Sequence, residues 1–442
     1  MYMINEKDEL VGKIHELVKE YYDKFHKPPP FIPGLSRVNY GGRVYDEKEM
    51  IAAVDSILDF WLTHGQKCVE FENALSKYLG KPPGSACFCN SGSSANLLAI
   101  SALKYIDKSP LKSGDKILTT ACGFPTTIAP IIQNGFVPVL VDINIDTLNP
   151  NYSQIFDAID KYSVKALVLP HTLGNPYDAP AVKGIIDSFD RKIYHIEDNC
   201  DAFGATVDSQ FTGTFGDLST LSFYPAHQMT TGEGGAVIIN NPKFKKPIFS
   251  LRDWGRDCVC DSGQDNKCGK RFSGQFGDLP KGYDHKYVYS TLGYNLKATE
   301  MQAAIGLVQL TKLNKFTIDR YVNFLILFNY FSKYSNLFIL PNKNETASPS
   351  WFGFWVTIRE TAQFTRKQIV EFLESKNIQT RMVFAGNVTK HPCFKNIEYC
   401  SMDLSNTNYV MNNTFWIGVY PGMTNEKIDY ILDSFDEFFR RG

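Results

Sequence analysis

Six short apolar runs decide the fold: KILTT (116–120), VPVLVD (137–142), KALVLP (165–170), IYHIED (193–198), LSTLSF (218–223) and GAVIIN (235–240). Each reads as a buried strand. Helical stretches lie between several of them, at about 94–105, 125–134, 153–160 and 179–188. Strand–helix alternation at this spacing predicts an α/β fold with a mostly parallel central sheet. Such sheets take ligands at the carboxyl ends of their strands.

Working outward, residues 8–26 carry Leu10, Ile14, Leu17, Tyr21 and Phe25 at helical spacing, and Pro28, Pro29 and Pro30 end that helix. Further periodic stretches cover about 47–61 and 69–79. Residues 252–291 break the rhythm with a run rich in Gly, Asp, Lys and Cys. A loop of that length inside a compact domain is usually functional or disordered. A helix resumes at about 299–314. The remainder mixes strands such as WFGFWVTI with helices at 365–376 and 425–440. A chain of 442 residues is too long for one core. The expected division is a helical arm at 1–65, a large domain at 66–312 that includes the 252–291 loop, and a small C-terminal α+β domain at 313–442.

The net charge of −1 offers no bulk attraction to nucleic acid or an anionic membrane. The first twenty residues lack the apolar core of a signal peptide, and no apolar run reaches the ~18 residues of a membrane helix. A cytoplasmic protein is expected. In a reducing compartment its ten cysteines are not expected to form structural disulfides.

Several stretches carry chemistry. Asn90 to Asn96 (NSGSSAN) opens a helix with small residues, which suits either a phosphate at the helix N-terminus or a plain serine cap. Phe124 follows a strand, where it can stack on a flat ring or pack in the core. Asp198 ends another strand, where a carboxylate can pair with a protonated pyridine nitrogen or cap a helix. The most informative run is SFYPAHQMTTGEGG (222–235). It resembles the sugar aminotransferases of the DegT/DnrJ/EryC1 family, whose motif is close to S-F-H-P-x-K followed by G-E-G-G. The phosphate stretch, the Asp198 stretch and Gly293-Tyr294-Asn295 fall in the family's order. The resemblance implies an aspartate-aminotransferase-like architecture, pyridoxal phosphate fold type I.

The family's lysine, which binds pyridoxal phosphate covalently, is replaced here by His227. A histidine lacks that amine but still moves protons near neutral pH. Within the family this replacement resembles the 3-dehydrases of 3,6-dideoxyhexose biosynthesis, which hold pyridoxamine phosphate non-covalently. The resemblance carries over further positions. Ser91, Gly92, Ser93, Ser94 and Ser222 are expected at the cofactor phosphate, Phe124 on the ring, and Asp198 at the ring nitrogen. Asp201 stands at the family's glutamine position near the ring hydroxyl. Tyr224 is expected to assist proton transfer or orient substrate. Asn295 is expected to reach a neighbouring subunit's cofactor, which implies a homodimer. Arg381 and Asn387 are expected at the substrate.

Six cysteines sit among apolar neighbours and read as buried thiols. Cys200, Cys258, Cys260 and Cys268 instead follow a C-x57-C-x-C-x7-C spacing. Spacing alone leaves zinc and iron–sulfur equal. The spacing resembles that of the CDP-4-keto-6-deoxyglucose 3-dehydrases in this family, which implies a [2Fe–2S] cluster. It also implies a separate NADH-dependent reductase carrying flavin and iron–sulfur, because the chain has no flavin or nicotinamide motif. The expected substrate is then a nucleotide-linked, CDP-type 4-keto-6-deoxyhexose that loses its C3 hydroxyl, with lipopolysaccharide O-antigen as destination. The rivals are a glutamate-coupled dehydratase without a cluster, a sugar aminotransferase, and a zinc-stabilised scaffold.

Overall fold

The computed structural model describes residues 2–258, 260, 264–267 and 269–441. The six apolar runs form the strands Lys116–Thr120, Val137–Val141, Ala166–Pro170, Tyr194–Asp198, Leu218–Ser222 and Gly235–Ile239. Four of them are buried along their whole length, so they read as continuous apolar runs rather than alternating ones. Ala86–Cys89 and Cys400–Ser401 complete an eight-stranded sheet. Its order is 86–89, 235–239, 218–222, 194–198, 166–170, 116–120, 137–141 and 400–401. Gly235–Ile239 runs antiparallel to both neighbours. The remaining pairings are parallel. The expected α/β architecture is therefore present.

The helix Gly92–Ala102 is apolar on nearly every side. It is enclosed by strands Leu218–Ser222 and Gly235–Ile239 on one side and by helices Pro125–Gln133 and Lys245–Arg252 on others. A helix with this composition is stable only when buried all round. That burial holds its N-terminus against the strand ends.

The C-terminal unit is an antiparallel sheet of Phe338–Ile339, Gly353–Ile358 and Thr414–Gly418, accompanied by helices Arg366–Ser375 and Asn425–Arg441. Its core is aromatic, with Phe324 and Trp351 stacked at 3.8 Å. Two features differ from expectation. Cys400–Ser401, from the C-terminal part of the chain, pairs with Val139 and Leu140 at the edge of the large sheet. A two-residue pairing leaves no period to read. The helix expected to end near 314 also continues, spanning Glu300–Phe331. It does so because its apolar residues serve two cores in succession. Ala303 and Leu313 pack with the large sheet, and Phe324, Leu327 and Phe331 with the small one. The expected boundary at 312/313 falls inside this helix.

The Gly- and Cys-rich loop leaves the helix Lys245–Arg252 through a narrow base, where Asp253 pairs with Asn295 and Arg256 with Tyr289. A Cβ on Gly293 would lie 2.2 Å from the Gly255 nitrogen, so the two loop ends approach closely only because both are glycine. Just before this base, Arg252 is buried and donates to Glu72 at 2.7 Å and to the Phe88 carbonyl at 3.0 Å. Glu72 also accepts from the Phe88 amide at 2.8 Å. This pair ties the helix Gln66–Tyr78 and an antiparallel edge strand to the root of the loop. Removing one partner strands the other charge. Arg252→Met is therefore expected to cost roughly 3–5 kcal/mol in urea unfolding. A loss under about 1 kcal/mol would show that Glu72 finds water or another donor.

Candidate active site

The parallel strands end at a cavity of about 580 Å³, within the range of small-molecule sites. Its floor is Asp198, the last residue of its strand and 6% exposed. One carboxylate oxygen accepts from Asn96 Nδ2 at 2.9 Å and Thr127 Oγ1 at 2.6 Å. The other accepts from Thr220 Oγ1 at 3.4 Å and the Cys200 amide at 3.3 Å. Donors from two helices, a neighbouring strand and the following turn thus hold one carboxylate in place.

Ser91 caps the helix Gly92–Ala102, its Oγ accepting from the Ser94 amide at 3.0 Å. A Cβ on Gly92 would lie 2.5 Å from the Ser222 Cβ, and one on Gly235 would lie 2.3 Å from the Ser91 carbonyl oxygen. Only glycine lets the helix N-terminus meet the strand ends this closely. Ser91, Gly92, Ser93 and Ser222 all line the cavity, whereas Ser94 is used in the cap. The result is a small-residue cradle beside a helix N-terminus, suited to a phosphate. Phe124 also lines the cavity, half exposed, its ring edge-on to Phe384 at 5.8 Å.

His227 sits in the loop joining Leu218–Ser222 to Gly235–Ile239. Its amide donates to the Tyr224 carbonyl at 2.9 Å, and the Phe223 amide donates to the Gly234 carbonyl at 2.9 Å, closing the loop. Arg320, fully buried in the long helix, donates to the carbonyls of Ala226 at 3.1 Å and His227 at 2.8 Å, and to that of Trp351 at 3.2 Å. The His227 ring rests 5.1 Å from the Phe352 ring. Burial, reinforced by the Arg320 guanidinium, holds the imidazole down at about 3. Burial and the nearby Asp198 carboxylate push Asp201 up to about 7. Nδ1 of His227 lies 3.7 Å from an Asp201 oxygen, too far for a hydrogen bond. Both His227 and half-exposed Tyr224 face the cavity, and among the described residues no lysine lines it.

At the mouth, the Arg381 guanidinium lies 4.0 Å above the Tyr40 ring, which meets Trp416 edge-on. Asn387, also expected at the substrate, does not line the cavity. It is buried, its Oδ1 accepting from the Thr389 amide at 3.0 Å and its Nδ2 donating to Asn408 at 2.9 Å. Its work is to cap a turn. Asn295 likewise lies outside the cavity, at the loop base.

The three described cysteines of the quartet do not line one cavity. Cys200 lines the cavity, and burial, aided by Asp198, pushes its thiol up. Cys258 and Cys260 line a separate narrow crevice with Asp265, Arg271 and His285. Cys268 lies outside the described residues. Among the described residues no three His, Cys, Asp or Glu side chains form a group able to hold a metal. The expectation of a loop metal beside Asp198 is therefore not met within one chain. The loop is tied elsewhere: Asp257 pairs with Lys246 and with His285, and Arg271 with Asp284.

Asn96, Thr127, Thr220, Arg320, Phe352 and Trp416 were not foreseen at the site. Asn96 closes the quoted NSGSSAN run and Thr127 follows Phe124-Pro125, so position alone hinted at these two. Nothing local marks Arg320 or Trp416.

Fold and cavity together define a fold-type-I, pyridoxal-phosphate-type framework. The model of the DegT/DnrJ/EryC1/StrS aminotransferase family matches residues 44–436, and the chain belongs to that family. It is 47% identical over 430 residues to the lipopolysaccharide biosynthesis protein RfbH of Salmonella typhimurium, covering 97% of each chain. It is 43% identical to a dTDP-4-dehydro-2,6-dideoxy-D-glucose 3-dehydratase of Saccharopolyspora spinosa, covering 98% of this chain and 92% of that one. Among solved structures, an E. coli GDP-4-keto-6-deoxy-D-mannose 3-dehydratase with bound hydrated PLP superposes with a TM-score of 0.80 at 29% identity. That match covers 90% of this chain and all of the other. Among the described residues no helix is long and apolar enough to cross a membrane.

Because Asn387 acts as a cap, Asn387→Ala is expected to lower stability by about 1 kcal/mol while leaving substrate KM within twofold. A KM rise of tenfold or more without a stability change would return Asn387 to the substrate.

Proposed function

We propose that this chain is a nucleotide-sugar 3-dehydrase that uses pyridoxamine phosphate to remove the C3 hydroxyl of a 4-keto-6-deoxyhexose. The observation that carries this reading is His227 facing a cavity that contains Asp198 but, among the described residues, no lysine. Without a lysine amine, the cofactor has no covalent anchor and an aminotransferase cycle lacks its shuttle. The relatives' 3-dehydratase activities support the same reading.

The residues present fit the cofactor. Ser91, Ser93 and Ser222 with the helix N-terminus would hold the phosphate, Phe124 would cover the ring, and Asp198 would face the ring nitrogen. Bound there, the cofactor supplies an amine for the C4 ketone and a ring that accepts an electron pair. His227 takes and returns the proton that accompanies departure of the C3 hydroxyl as water. Tyr224, beside it, orients the sugar. Arg381 and Tyr40 at the mouth suit the nucleotide end of the substrate, with CDP the expected carrier. Replacing the hydroxyl by hydrogen requires two electrons and two protons, and releases water.

The proposed electron source is NADH, through a separate flavin and iron–sulfur reductase and a [2Fe–2S] cluster on Cys200, Cys258, Cys260 and Cys268. This part rests on the spacing in the sequence, because Cys200 lines a different cavity from Cys258 and Cys260. That separation favours a second reading, in which glutamate supplies the electrons by oxidative deamination and no cluster is needed. A homodimer, with Asn295 near the neighbouring cofactor, belongs to the same proposal.

Iron and sulfide analysis with an absorption spectrum on anaerobically purified protein separates the two. About two irons and two sulfides per chain support the reductase-coupled reaction. Absence of the cluster together with turnover on glutamate establishes the second reading. His227→Lys is expected to lose dehydration and to bind pyridoxal phosphate covalently, seen as a shifted absorption band. Full dehydration by that variant would remove His227 as the base. Gly92→Ala is expected to weaken pyridoxamine phosphate binding at least tenfold, measured by equilibrium dialysis. Unchanged binding would place the phosphate elsewhere.

A further inference from the structure

Behind His227 lies a second, much smaller cavity, on the side where the long helix packs. His227, Gln228, Thr230, Gln309 and Arg320 line it with apolar neighbours. Its volume is about 10 Å³, about the space one water occupies. Three of these residues each carry a buried polar atom with no partner in the chain: Nδ1 of His227, Oε1 of Gln228 and Nε of Arg320. Buried polar groups are rarely left unpaired, and the three residues that carry these atoms line one small space.

The remaining atoms of these side chains are committed. Nε2 of Gln228 donates to the carbonyls of Asp201 and Ser350, so Oε1 is left as an acceptor. The terminal nitrogens of Arg320 are spent on backbone carbonyls, which leaves the Nε hydrogen. The competitors for the His227 ring are the Cys200 backbone, whose hydrogen bonding raises the imidazole against burial, and Asp201. Its nearer oxygen is 3.7 Å from Nδ1, and its Oδ2 already accepts from the Leu173 amide at 3.2 Å.

We infer that one ordered water is bound in this cavity, bridging His227 Nδ1, Gln228 Oε1 and Arg320 Nε. The hydrogen-bond accounting closes with one molecule. The water accepts from the Arg320 Nε hydrogen, donates to Gln228 Oε1 and makes its third bond to His227 Nδ1; the base role proposed for His227 requires that this bond run from Nδ1–H to the water. Three bonds is the usual number for a buried water. The consequence lies in the tautomer. A hydrogen held at Nδ1 leaves Nε2 as the ring atom with a free lone pair, the form a proton acceptor needs. Gln228 and Arg320 are then positioning residues for His227, acting through the water. This last step rests on the proposed dehydrase reading; the water site itself does not.

The test is a crystal structure of the full chain with pyridoxamine phosphate, at a resolution that shows ordered water, together with ¹⁵N-histidine NMR. The expected result is one water within hydrogen-bond distance of all three atoms, and a His227 signal protonated at Nδ1 at neutral pH. His227→Asn assigns that signal. A dry cavity, or Nδ1 bonded directly to the Asp201 carboxylate, overturns the inference. In turnover, Gln228→Met is expected to lower kcat tenfold or more with KM changed less than threefold, and to lose the Nδ1-protonated signal. An unchanged kcat and signal in folded Gln228→Met also overturns it. If the parent enzyme turns over no nucleotide-linked 4-keto-6-deoxyhexose, the dehydrase reading fails, while the crystallographic and NMR results still decide the water.

Discussion

The site is organised around one carboxylate held at the end of a buried strand. Asp198 is reached by Asn96 from one helix, Thr127 from another, Thr220 from the next strand and the Cys200 amide from the following turn. A buried carboxylate is tolerated only with such donors. Each donor in turn fixes an element: the helix that carries the Ser91 cradle, the helix that begins at Phe124, and the strand that leads to Ser222 and His227. Loss of that convergence would release the Ser91 cradle, Phe124 and His227 together.

A second constraint comes from the C-terminal unit. The helix Glu300–Phe331 belongs to both cores, and from its middle Arg320 reaches the carbonyls beneath His227 and beside Phe352. The position of the candidate base is thereby set by a residue almost a hundred positions away in sequence. The small unit also supplies Phe352, Arg381 and Trp416 to the cavity wall. It is also attached to the large sheet through Cys400–Ser401.

Much of the fold was legible because buried parallel strands are short, continuous apolar runs that alternate with helices. The six runs correspond to six strands. The cradle, Asp198 and His227 were legible as well, since each belongs to a compact motif at a strand or helix end. The motif carried less information away from those ends. Asn387 has the residue type and neighbourhood of a substrate contact, yet its amide is consumed by a cap. The cysteine spacing suggests a single ligand set, yet Cys200 faces the cavity while Cys258 and Cys260 face a different crevice.

By itself the sequence determined the alternation of strands and helices, the glycines that let a helix tip meet two strand ends, and the replacement of an expected lysine by His227. These are properties of neighbouring residues, where periodicity and local sterics are sufficient. Only the tertiary structure decided that Arg320 lies under His227, that Tyr40 and Arg381 meet at the cavity, that Asn387 is a cap, and that Cys200 faces a different cavity from Cys258 and Cys260. Those are contacts between distant segments. They depend on how two cores pack against one shared helix, and no local spacing encodes that.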